Sequence, residues 1–436
     1  MKRRDFFQRT GVALAGLPAL GTVSLAAPSP RPVRAFDPDD WASVRDQFAL
    51  TRDRIHMAMF LLASHPRPVA EAVERHRKAF DLDPAMHWEE HFMTAEPEMV
   101  AAAGEYLEAD PAHIALTDST TMGLGLVYGA LKLGPGHEIL TTPHGHFSTI
   151  ESLRLRAERT GATVRRVALY DDPAKTSVDE VVSRMRAGIT DQTRVLAVTW
   201  VHSSTGVKLP LAALSEALRD INAGRDAADR VLFCVDGVHG FGVDDITMES
   251  LGVDFFMAGT HKWMFGPRGT GIVYGRPEAW ERLDLVIPNF GPWVGVWIGA
   301  LPPDTPLVTP GNMFTPGGFH SFEHRWALGE AFRFHLALGK ARVQERIHAL
   351  NTQAKEALAA MPHVHLHTPM SPALSAGINC FEVDGHTPTE VVEHLHRSRI
   401  TGSTSPYPVS YARIAPSLIN DEDEVARTVA AIAELG

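Results

Sequence analysis

Cysteine is nearly missing from this chain: Cys234 and Cys380 are the two among 436 residues. That count excludes a disulfide framework. Both stand in apolar, strand-like runs, LFCVD and INCFEV, where two buried free thiols are the ordinary reading. Positive charge is also short. Forty-one Lys and Arg face 52 Asp and Glu, for a formal net charge of −11. With no Lys/Arg run beyond the N-terminus, a nucleic-acid partner is excluded on electrostatics. Long apolar runs are absent too. The stretch 11–27 is interrupted by Gly11, Gly16, Pro18 and Gly21, too short and too broken to span a membrane stably. No G-x-G-x-x-G follows the first expected strand, which speaks against a nicotinamide oxidoreductase. The 22 histidines include no HExxH. His87/His91 and His320/His324 have the i, i+4 spacing of a chelating pair, but neither has an evident third ligand, so no metal is expected.

What is present begins with a targeting signal. MKRRDFFQRTGVALAGLPALGTVSLAA has a charged start, a modest apolar stretch and small residues at its end, the layout of a secretory signal over 1–27. Arg3-Arg4 followed by Asp5-Phe6-Phe7 resembles the twin-arginine export signal, which implies a periplasmic protein exported folded. Residues 28–54 read as a linker and N-terminal arm. The remainder is too long for one core, so two domains are expected: 55–310 and a smaller 311–436, with the first residues of the larger one free to pack on the smaller.

Strands and helices alternate from residue 114 onward. IALTD, EILTTP, RVLAVTW, RVLFCVD, FFMAGTH and TGIVYG are apolar runs of strand length, separated by helical patterns such as VDEVVSRMRAGI and LAALSEALRDINA. Continuous apolar runs predict strands buried on both faces of a mostly parallel sheet. The expected fold is therefore α/β, with helices covering the sheet and a small C-terminal α+β domain. Residues 285–319, dense in Pro, Gly and Trp, predict an irregular crossing segment. Ligands of such sheets bind beyond the carboxyl ends of the strands, which directs attention to the residues just after each one.

Two of those positions carry chemistry. AGTHKWMFGPRGTG places Lys262 just past a strand, and FCVDGVHGFG places Asp236 at a strand end with His239 close behind. Taken together, VDGVHG…AGTHKW resembles the class V aminotransferase group of fold-type I enzymes dependent on pyridoxal 5′-phosphate (PLP), nearest its isopenicillin-N-epimerase-like branch. The resemblance runs from about Ile55 to the C-terminus. It implies that Lys262 carries PLP as a Schiff base and then works as general acid and base, while Asp236 keeps the pyridine nitrogen protonated.

The resemblance implies further roles. TDSTTMG opens a helix after a strand, so Thr120 and Thr121 would hold the phosphate, aided by Thr260 and His261. In TTPHGHFSTIES, aligning on Ser148 and Glu151 makes His146 the residue stacked on the cofactor ring, whereas aligning on His144 brings in Phe147; His146 is preferred. Ser203 stands where the family often has Asn beside the phenolic oxygen, a role His239 could share. Arg413 would grip a substrate carboxylate as a bidentate fork. Ser64 and His65, in a loop resembling the one that covers the substrate, would line its pocket, as could His87 and Trp88. Thr315, His320 and Arg325 lie in a segment like the one family dimers lend to a neighbouring site, and a homodimer is implied.

The substrate implied is a small molecule or peptide with amino and carboxylate groups, such as an exported peptide or siderophore, undergoing transamination or related Cα chemistry. Epimerisation and C–S or β-elimination remain open on the same scaffold, as does a non-catalytic binder. Desulfurases of this fold use a mobile catalytic cysteine, and neither cysteine here stands near the Arg413 segment, so desulfuration is not expected.

Overall fold

The computed structural model describes residues 34–305 and 308–436. The twin-arginine signal expected over 1–27 lies outside the described residues.

Among the described residues the chain forms thirteen strands, β1 to β13 in chain order. β1 is Ile55–His56. β2 (Ile114–Thr117), β3 (Glu138–Thr141), β4 (Thr163–Arg166), β5 (Thr193–Thr199), β6 (Leu232–Asp236), β7 (Phe255–Gly259) and β8 (Gly271–Gly275) form one seven-stranded sheet, in the order β2-β8-β7-β6-β5-β3-β4. β8 runs antiparallel to both its neighbours and the other pairings are parallel. β2, β3, β6 and β7 are buried at every residue, as continuous apolar runs require. Each fully buried Val, Leu, Ile or Phe there contributes roughly 1.5–3 kcal/mol.

The order of the chain fixes where chemistry can happen. The parallel strands end on one edge, and the first turns of the following helices open there. Helix Thr120–Ala130 starts after β2 because Ser119 caps it, its Oγ accepting the Met122 N–H at 3.1 Å. Helix Phe147–Thr160 starts after β3 with His146 as its cap, Nδ1 accepting the Ser148 N–H at 3.2 Å. At the end of β7 the two layers nearly touch. A Cβ added to Gly259 would lie 2.9 Å from Thr120 Oγ1, so glycine is what permits this approach.

β9 (Val364–Leu366), β10 (Asn379–Val383), β12 (Ser403–Thr404) and β13 (Ala412–Ile414) make a four-stranded antiparallel sheet in the order β12-β13-β10-β9. β11 (Ile400–Thr401) pairs in parallel with β1. A separate apolar cluster joins Ile55 and Met57 to Leu350, Leu358, Phe381, Val391, Ile414 and Ile432. The N-terminal residues Ile55–Met57 thus pack with the C-terminal sheet. Residues 310–338 side with the large sheet: Pro310–Phe314 lies on β2, and helix Leu328–Leu338 on helix Ala95–Leu107. The crossing segment is irregular apart from the short helices Pro292–Trp297 and Pro310–Phe314.

Candidate active site

A cavity opens at the carboxyl edge of the large sheet. Its wall includes Thr120 and Thr121 beyond β2, His146 beyond β3, Ser203 beyond β5, Asp236 and His239 at the end of β6, and His261 and Lys262 beyond β7. Eight side chains from five strand ends thus converge on one cavity at the edge where ligands of such sheets bind.

Asp236 is 1% exposed. Its Oδ1 accepts the Val238 N–H at 3.3 Å, and Thr149 donates to Oδ2 at 3.5 Å. Two weak donors are little compensation for a buried carboxylate, and burial pushes its pKa up to about 6 despite Lys262 nearby. The site therefore has room for one more donor, preferably a cationic one.

Lys262 is held to about 8, first by burial, with Asp236 opposing and Arg413 assisting. Its Nζ lies 3.2 Å from His239 Nε2, and the indole N–H of Trp263 meets His239 Nδ1 at 3.4 Å. An indole can only donate, so Nδ1 accepts and the proton of neutral His239 sits on Nε2. That Nε2–H then points at the lone pair of Lys262, an arrangement complete when the lysine is an uncharged amine. Burial, then Lys262 and Arg413, hold His239 well below its ordinary pKa, which keeps it neutral. The lysine is thereby poised as a nucleophile near neutral pH. Phe265, just beyond it, adopts φ +54° with its side chain buried, a strained turn that closes the Lys262 loop.

At the opposite end of the cavity, the first turn of helix Thr120–Ala130 presents amides that have no carbonyl four residues back. Thr120 Oγ1 accepts the Gly259 N–H at 2.8 Å, and Thr121 Oγ1 bonds Ser148 Oγ at 3.0 Å. His261 Nδ1 is buried without a partner. The His146 ring lines the cavity, whereas Phe147 is 71% exposed, so of the two alignments for the stacking residue only His146 faces the site.

Some expected residues stand elsewhere. Thr260 is fully buried, and its hydroxyl bonds Thr270 Oγ1 at 2.5 Å; it ties the ends of the Lys262 loop together instead of lining the cavity. His65 is held between the Phe265 carbonyl and the Arg268 guanidinium, at 3.4 and 3.2 Å, and neither it nor Ser64 reaches the cavity wall. Arg413 is 2% exposed. Nε donates to Ser403 Oγ, Nη1 to the Ser203 carbonyl and Nη2 to the Thr404 carbonyl, at 3.2, 2.9 and 2.7 Å, which leaves one N–H on each terminal nitrogen. Thr315 and Arg325 are engaged within their own chain: the Thr315 hydroxyl accepts the Leu116 N–H, and Arg325 pairs with Glu96 and Asp118.

One residue was not anticipated. Tyr407 bonds Ser203 Oγ through its hydroxyl at 2.7 Å, and burial raises its pKa, so it stays protonated. Its only sequence signal is the Ser-Pro-Tyr-Pro run at 405–408, a stiff turn just before Arg413.

The Aminotransferase class-V family model matches residues 85–405. The chain belongs to the class V aminotransferase family. It is 26% identical over 409 residues to isopenicillin N epimerase of Streptomyces clavuligerus, covering 90% of this chain and 98% of that one. It is 28% identical over 351 residues to a cysteine desulfurase of Klebsiella pneumoniae, covering 76% and 80%. Among solved structures, a C-DES mutant with glycine covalently linked to its PLP cofactor superposes with a TM-score of 0.80 at 22% identity, over 90% of this chain and 99% of that one. The chain is a PLP-dependent enzyme of fold type I.

The residues present fit that cofactor. The under-compensated Asp236 carboxylate suits a protonated ring nitrogen, the Lys262 amine with its lowered pKa suits its aldehyde, and the helix N-terminus with the orphaned His261 suits its phosphate.

Proposed function

We propose that this class V enzyme performs transamination or a related Cα reaction on a substrate carrying an amino and a carboxylate group. The observation that supports this most is the buried Lys262 amine, held to about 8, 3.2 Å from His239 and in the field of buried Asp236. Bound there, PLP supplies an electron sink for the charge left on the substrate's α-carbon. With the cofactor bound, Asp236 would hold a proton on the ring nitrogen, Lys262 Nζ would take and return the α-proton, and His146 would cover the ring. Ser203 and Tyr407 would bond the phenolic oxygen, and the two remaining N–H groups of Arg413 would meet the substrate carboxylate.

The Ser203–Tyr407 pair favours epimerisation as the second reading. It sets a second proton-bearing hydroxyl directly behind Ser203 of the cavity wall, and stereoinversion requires proton exchange on both faces of Cα. Cysteine desulfuration is not favoured: Cys234 and Cys380 are buried, and burial raises both thiols. The holoenzyme should be incubated with a panel of amino acids and short peptides in deuterated water. A 2-oxo product with the pyridoxamine form of the cofactor supports transamination. Deuterated, configurationally scrambled substrate supports epimerisation, and absence of any α-proton exchange across the panel would overturn both.

The paired Arg3-Arg4 supports twin-arginine export to the periplasm, where an exported peptide or siderophore is a fitting substrate. Replacing both arginines with lysine should leave the protein in the cytoplasmic fraction. A homodimer is supported by exposed apolar side chains concentrated in the crossing segment, including Trp297 and Phe319 at 80% and 77% exposure. Light scattering should give twice the chain mass, and W297D should reduce it.

A further inference from the structure

Away from the cavity, a second group of side chains has the makings of a ligand site. Helix Pro84–His91 places His87, Glu90 and His91 at i, i+3 and i+4, one face of a single turn and a half. One ligand atom from each of the three lies within 4.8 Å of the others. His91 Nδ1 donates to the His87 carbonyl at 2.9 Å, which fixes the tautomer and leaves a lone pair on Nε2. His76, on the neighbouring helix Arg67–Leu82, brings Nδ1 to 3.2 Å from His87 Nε2. The Trp326 ring centroid lies 5.6 to 5.7 Å from those of His76, His87 and His91, so one indole walls the group.

The competing reading is an aromatic packing cluster, since Phe80 also sits against His87 and Trp326. Packing alone does not need two imidazoles and a carboxylate at ligand spacing. Nor does it need one ring orienting another through nitrogen, the arrangement typical of outer partners around a metal. The sequence shows the i, i+4 pair but no third donor, because Glu90 differs from a random surface acid only in its position on the turn, and His76 is brought in by the angle between two helices.

We propose that His87, Glu90 and His91 form a site for a divalent cation of the zinc class, with His76 closing against His87 and Trp326 shielding it. Two imidazole nitrogens and a carboxylate oxygen are the donors Zn²⁺ takes, with water completing four-coordination. The site is separate from the PLP cavity. A cation there would tie helix Pro84–His91 to helix Arg67–Leu82 and to the segment around Trp326.

The test is titration of tag-free holoenzyme with ZnCl₂ by calorimetry, beside the same titration of H87A/H91A and H76A. The expected result is one equivalent per chain in the wild type, that equivalent lost in H87A/H91A, and affinity weakened about tenfold or more in H76A. Titration with CoCl₂ provides a reading that no misfolded variant can blur: the wild type should develop ligand-field absorption of a tetrahedral N/O site at wavelengths longer than the cofactor's. Identical Zn²⁺ titrations of the wild type and a folded H87A/H91A, or no ligand-field band in the wild type, would overturn the proposal.

Discussion

The two walls of the cavity are built differently. The inner wall hangs on one sheet: Asp236 ends β6, Lys262 follows β7, and the Thr120 helix follows β2, so backbone pairing sets their spacing. The outer wall, at Ser203, is backed by distant loops. Ser203 meets Tyr407 and Arg413 across the two sheets, and Gly206, with φ +77°, lets the Ser203 loop pack against Thr368 and the Ile378 carbonyl, where any Cβ would clash. The inner wall fixes the cofactor chemistry shared by the family. The outer wall can vary without disturbing it, which is where a choice among Cα reactions belongs.

If this contrast holds, inner-wall substitutions cost the most. K262A should abolish turnover, by roughly 10⁴-fold or more in kcat, while thermal unfolding stays near that of the wild type. D236A should lower kcat by about 10²- to 10³-fold through loss of the partner to the ring nitrogen. Y407F, on the outer wall, should lower activity about tenfold, the scale of one hydrogen bond, and should shift the ratio of exchange to 2-oxo product more than it shifts cofactor affinity. H65A, outside the cavity, should change kcat/KM less than either. A loss from H65A equal to that from D236A would break the comparison.

The smallest expected effect is on pH dependence. The folded apoprotein holds Asp236 at about 6 against an ordinary value of 3.8, so the fold favours its protonated form. The stability this contributes is present below pH 3.8 and is lost as pH rises through about 6. Denaturant titrations of apoprotein at pH 4 and pH 7 should differ in that direction, and D236N should reduce the difference. Lys262, held to about 8, predicts that PLP capture by apoprotein quickens as pH rises toward 8 and then levels off.

The same division explains what could be read in the sequence. The strand runs, the mostly parallel sheet and the residues at the ends of β6 and β7 follow from apolar runs of strand length and a lysine out of place, both local signals. Tyr407 was not legible because its function depends on a contact 204 residues away in sequence. The inward turn of Thr260 to Thr270 was not legible either, because side chains alternate along an extended chain and His261 takes the cavity side. The contact between His65 and Arg268 is likewise distant in sequence.

Visible spectroscopy of the purified holoenzyme before and after borohydride, followed by peptide mapping, tests the central claim most directly. A yellow protein that bleaches and carries a pyridoxyl group on Lys262 is the predicted result. A protein that stays colourless after incubation with PLP, or that carries the group on another lysine, would contradict it.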